Sequence, residues 1–348
     1  QGEIQHDDLS AEAVPVRDVS LKALYEGNKV LIEDISATLH DVVIHASAEL
    51  DLERAGAGAD LADGAVGKGE TAIMGVRGPM RLWIEDMPQS YIEPLWPKVL
   101  EEENAKKWVV DRLTAGDLSG LLMTMDIEAE KNKQVAFEDA QENENAVEDP
   151  AQALESAQEN QDVQGAEAVG QVLDRAVAQQ EQAGWDFDVQ NLRAEFAFEN
   201  MQVNYRDPLP PVENAKGNGV FILDEEKLRI TVEEGELGGM QVMGAELAFY
   251  NILEGGKGIA DLKIPLKGPL AKAFAYISTE PIDLKDELDM DLSQVKGDAA
   301  LTVKLEFPAI ADLMIDQVKI DVKGRADNVF LPDILQGQPV TGGPFTFE

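Results

Sequence analysis

The chain contains no cysteine, so disulfide staples, thiolate metal centres and cysteine nucleophiles are excluded. That absence is compatible with an oxidising compartment. Histidine is almost as scarce: His6 lies in a polar leader, and His40 and His45 fall on an expected strand pair with no matching ligand at metal-binding spacing. Positive charge is also short, with 29 Lys and Arg against 67 Asp and Glu and a formal net charge of -38. Such a chain repels a phosphodiester backbone and an anionic membrane surface, so no nucleic acid is expected as a partner. No apolar run approaches the ~20 residues of a membrane-spanning helix, and the polar start at Gln1 carries no signal segment, so any anchor is expected to lie outside this chain.

Catalytic strings are missing as well. There is no Gly-x-Ser-x-Gly elbow, no phosphate-cradling glycine loop and no zincin helix, and the abundant acids include no Asp-x-Asp-x-Asp-Gly calcium loop. No cofactor, metal or catalytic residue is expected. A hydrolase or transferase would need a cleft of convergent polar groups, which nothing in the sequence announces.

What is present is alternation. At Lys227–Glu233, Leu228, Ile230 and Val232 alternate with Lys227, Arg229, Thr231 and Glu233, the pattern of a strand with one aliphatic and one charged face. The same pattern places Leu262, Ile264 and Leu266 on one face of Asp261–Lys267, and Leu301, Val303, Leu305 and Phe307 on one face of Leu301–Phe307. It recurs with Val318, Ile320 and Val322 in Val318–Lys323, and more weakly in Ala48–Leu52 and Ala72–Val76. Between Phe198 and Met201 the alternation slips by one residue, which predicts a β-bulge. Met74–Met80 and Ile264–Leu270 each read as a strand ending in Gly-Pro before an apolar residue, a weak internal repeat.

Four segments are expected: a polar leader over 1–29, a β segment over 30–130, an insert over 131–184 and a second β segment over 185–348. Spacing of Leu95, Val99, Ala105, Trp108, Val109 and Leu113 predicts a helical element near 92–114. The insert is rich in Ala, Gln, Glu, Asn and Asp and reads as partly disordered and partly a loose amphipathic helix. Periodicity alone leaves two architectures open: a closed β-sandwich whose apolar faces satisfy each other, or an open trough. A ligand-free structural or adhesive protein of the cell envelope fits the same acidity and lack of motifs.

Leu95-Trp96-Pro97, then Lys107-Trp108-Val109 and Leu113-Thr-Ala-Gly116, followed by a strand over Leu121–Ile127, resembles the pattern of AsmA-like, YhdP-type bacterial lipid-transfer proteins. Val203-Asn-Tyr205-Arg-Asp-Pro208-Leu-Pro210-Pro211 and Asn214-Ala-Lys-Gly217, with strands running on to Gly268-Pro269-Leu270, resemble the region that follows in that family. The insert departs from the pattern. The resemblance covers about half the chain. It implies a mainly β fold, an elongated, curled antiparallel sheet forming an open apolar groove with a short helical cap and an acidic insert. It further implies a periplasmic role in Gram-negative bacteria, as part of a protein anchored in the inner membrane, passing phospholipid or another acyl-chain lipid towards the outer membrane, with envelope proteins as partners. On that reading the lipid-facing residues are Leu228, Ile230, Val232, Val242, Leu262, Ile264, Leu266, Leu301, Val303, Leu305, Val318, Ile320 and Val322. Few aromatics and many aliphatics suit acyl chains without selecting one of them.

Overall fold

The computed structural model describes residues 2–4, 14–54, 73–96, 103–131, 185–253, 257–284, 291–310, 313–335 and 338–348. These form one antiparallel sheet in which hydrogen-bonded order follows chain order from β1 to β14, with β15 added beside β13. The sheet does not close. The strands are β1 (Gly2–Ile4), β2 (Val14–Glu26), β3 (Lys29–Leu39), β4 (Val42–Arg54), β5 (Ile73–Pro88), β6 (Leu113–Lys131), β7 (Trp185–Val203) and β8 (Val212–Ile222). They continue with β9 (Lys227–Leu237), β10 (Met240–Tyr250), β11 (Ile259–Pro269), β12 (Lys296–Pro308), β13 (Lys319–Leu335), β14 (Gln338–Gly342) and β15 (Phe345–Phe347). Helices α1 (Glu103–Arg112) and α2 (Leu270–Ile277) interrupt the meander. The mainly β, open-sheet architecture expected from the sequence is the one observed.

Three expectations need correction. The polar leader is largely strand, since β2 pairs with β3 from Val16 opposite Leu39 to Glu26 opposite Lys29. Its polar look comes from an interruption at Asp18, whose φ of 51° and the adjoining register shift break the alternation. The helix near 92–114 is shorter, because residues 92–95 form turns and β6 already begins at Leu113; residues 97–102, with Val99, lie outside the described residues. Gly78-Pro79 does not end a strand: β5 continues to Pro88. The ladder to β4 is interrupted between the Ala48–Met80 and Asp51–Arg77 pairs, so the missing N–H of Pro79 coincides with a gap in pairing. A Cβ on Gly78 would meet the Glu49 carbonyl oxygen at 2.1 Å, which fixes glycine there.

Residues 132–184 lie outside the described structure, but Lys131 stands opposite Trp185, so the insert joins two adjacent strand ends. The sheet passes this point without a domain boundary.

Because consecutive strands reverse direction, their connections alternate between two rims. The first rim carries the turn at 40–41, both helices and the β7–β8 and β9–β10 connections. The second carries the β2–β3, β8–β9, β10–β11 and β12–β13 connections. Register shifts concentrate along the first rim, at Arg17/Ser20, Ser119/Leu122, Phe198/Met201, Glu213/Lys216, Val242/Glu246 and Lys296/Asp298. Asn200, Asn214 and Asn328 there adopt positive φ near 53°, which asparagine tolerates better than other side chains. A row of bulges bends successive strands in the same sense, which is how an extended sheet acquires curl.

Candidate functional site

Residues opposite one another in an antiparallel pair project from the same face, so register identifies each face directly. Between β9 and β10, Leu228 faces Phe249, Ile230 faces Leu247 and Val232 faces Ala245. Val242 faces Leu266 on β11. Leu262, Ile264 and Leu266 face Leu305, Val303 and Leu301 on β12. Val303 and Leu305 in turn face Val322 and Ile320 on β13. Twelve of the lipid-facing residues expected from the sequence therefore share one surface. Val318 precedes β13, half-buried beside the 3₁₀ turn Ile315–Gln317, and takes no place in the ladder.

The surface extends well beyond those residues. In the first half Ile32, Ala48, Met80 and Met125 stand in one row across four strands, beside a second row of Ile35, Ala46, Leu82 and Met123. A cavity of about 680 Å³ has the first row among its lining residues. In the middle, Phe196 faces Gly219 and Phe198 faces Gly217. Each ring lies over the glycine opposite, since a Cβ added there would meet Phe196 at 2.3 Å or Phe198 at 2.8 Å. Alternation alone does not place these residues on the apolar face, because bulges at Ile32/Ile35 and Thr124/Asp126 shift the period and because Ala, Gly and Met carry weak signals. The detectable signal is Asn, Asp or Gly inside an otherwise alternating run.

The opposite face is charged. Lys263 stands opposite Glu246 with 3.3 Å between nitrogen and oxygen, Lys216 reaches Glu199 at 2.7 Å, and Lys29 reaches Glu49 at 2.9 Å. Glu199 and Glu49 hold the ammonium groups of Lys216 and Lys29 above the ordinary lysine range, chiefly through these hydrogen bonds. Being exposed, such pairs specify register more than they stabilise the fold. His45 does meet a carboxylate, Asp34, at 3.4 Å, and its ring stacks on Trp83 with centroids 5.1 Å apart. Among the described residues no cluster of three or more His, Asp or Glu is arranged to hold a metal ion.

Among the described residues no second sheet covers the apolar face. Val232 and Val242 are buried at 8% and 4% exposure, Ile320 is 50% exposed, and the other laddered members of the expected set are half-buried. Among the described residues most of the cover comes from the first rim. Ile92, Leu95, Trp96 and Val109 pack against Val42, Ile84 and Met87. Further along, Leu270, Ala273 and Phe274 of α2 pack with Met240, Val295 and Ala299, while Tyr276 and Tyr205 pack against the cluster around Phe198 and Val242. The two tyrosine hydroxyls lie 2.7 Å apart. Burial, followed by the neighbouring phenol, pushes Tyr205 well above the ordinary phenol range, and burial likewise raises Tyr276. The pair remains neutral and hydrogen-bonded in an otherwise apolar setting. Among the described residues the arrangement offers aliphatic surface and no buried polar or charged side chain beneath it.

No protein-family model, curated protein or solved structure matches this chain. The resemblance to AsmA-like proteins therefore rests on the sequence motifs quoted above.

Proposed function

We propose that this chain is a non-catalytic groove for acyl chains, conducting phospholipid through the periplasm as part of an AsmA-like protein anchored in the inner membrane. The observation that carries the proposal is the apolar surface, continuous in register from β3 to β13, with no second layer over it among the described residues and with most charge on the other face. Transferring an acyl chain from water gains ~0.8 kcal/mol per CH₂, so a lipid with two chains needs a long, unbroken apolar surface and little else. With strands ~4.8 Å apart, the fourteen in chain order span roughly 60 Å, room for several lipids in file. A closed structural protein would bury the Leu262–Leu305 and Ile264–Val303 pairs, which are only half-buried here.

Native mass spectrometry of chain purified from bacterial envelope without detergent tests the reading. Stoichiometric phospholipid is expected, lost in Ile230→Asp and Val303→Asp variants that still fold. Folded wild-type chain that never carries lipid would favour the ligand-free envelope role.

A further inference from the structure

The β7–β8 connection leaves the first rim and the β12–β13 connection leaves the second, yet the two meet. Arg206 Nη1 donates a 2.8 Å hydrogen bond to the Leu313 carbonyl, joining residues 107 apart in sequence. The meeting lies over the apolar face, because Tyr205, immediately before Arg206, packs on the cluster of Phe198, Val232 and Val242. Tyr276 from α2 steadies that side through its hydroxyl contact with Tyr205. The other side has less support: Met314 and Ile315, next to Leu313, are exposed. One charged hydrogen bond thus joins described residues of the two connections above the trough, and a guanidinium binding a single carbonyl is easily exchanged for water.

We infer that the Arg206–Leu313 contact is the latch of a strap that roofs the trough beside β7–β12, so that an acyl chain enters this stretch sideways only while the latch is open. With the latch closed, chains reach the stretch only by sliding along the trough from the parts outside it, at β2–β3 and at β13, where Leu21 and Ile320 stay exposed. The inference rests on the groove reading. It predicts that latch strength sets the rate of lipid exchange and leaves capacity unchanged, because the apolar surface beneath is the same in both states.

The absence of cysteine permits a clean test. Arg206→Cys and Leu313→Cys are introduced together and joined by a short bifunctional maleimide, the unjoined double variant serving as its own folding control. The probe is a vesicle of phosphatidylethanolamine and phosphatidylglycerol carrying pyrene-labelled phosphatidylethanolamine, and uptake is followed by pyrene emission. Joining is expected to slow uptake at least tenfold with the final amount bound unchanged, and Arg206→Ala is expected to accelerate it several-fold. Equal rates in joined, unjoined and Arg206→Ala chains overturn the latch while leaving the groove reading intact. Wild-type chain that takes up no probe overturns both.

Discussion

Strands β2–β3 and strands β9–β10 both turn apolar side chains to the same face but differ in what lies over them. Leu21 and Tyr25 in β2 are 63% and 58% exposed, whereas Val232 and Val242 are buried. The strands themselves do not make this difference. It follows the connections, since Tyr205 and Tyr276 lean over the second region, whereas what lies over Tyr25 in β2 is the Arg54 guanidinium, 5.8 Å from the ring centroid. A single-layer sheet thus divides one apolar surface into sheltered and open stretches by the choice of loops.

The sharpest way to break the comparison is one substitution placed in each region. Val242→Asp buries a carboxylate without a partner and is expected to lose at least ~4 kcal/mol of unfolding free energy. Leu21→Asp in the open stretch should change it by less than about 0.5 kcal/mol. Chemical denaturation of the two variants checks both values, and similar losses would mean that β2 is sheltered as well. Next in size is Gly217→Val, whose Cβ would lie 2.0 Å from the Thr231 carbonyl oxygen and against the Phe198 ring. A loss of ~3 kcal/mol is expected, read as a lowered melting temperature.

Tyr276→Phe should cost ~1 kcal/mol by leaving the Tyr205 hydroxyl without its partner. It also bears on pH. Both phenols titrate higher in the folded chain, so their contribution is complete below the unfolded phenol value of about 10 and declines as pH rises above it. The alkaline fall in stability should therefore be shallower in Tyr276→Phe, as melting curves from pH 8 to about 11 would show. A small effect, above only that of Leu21→Asp, is expected at the rim: Asn214→Ala, at a φ of 52°, should lose ~1 kcal/mol or less by denaturant titration, with Asn214→Gly near wild type.

Legibility in the sequence followed the regularity of the strands. From β9 to β13, Leu228, Ile264, Val303 and Val322 could be placed on one face because little interrupts their alternation. The bulge between Phe198 and Met201 was legible for the complementary reason, as a single slip in a strong pattern. In β2–β6, bulges near Asp18, Ile32 and Thr124 come often enough to hide the period, so the rows through Ala48 and Met80 were missed. Gly78-Pro79 misled because proline usually ends a ladder, whereas here the pairing with β4 lapses at that point and resumes at Arg77, while Pro79 keeps its place opposite Asp126 on β6. The shelter over Val242 could not be read at all, because Tyr205 and Tyr276 come together only when α2 and the β7–β8 connection share a rim.

Strict chain order in the sheet also governs how the molecule can assemble. From β2 to β12 every strand pairs only with its neighbours in sequence, so each new hairpin needs just the one before it as a template. Folding can advance along the chain as a zipper, cohesion is a sum of adjacent hairpins, and a pair of strands added or removed alters the length of the sheet without redesigning the remainder.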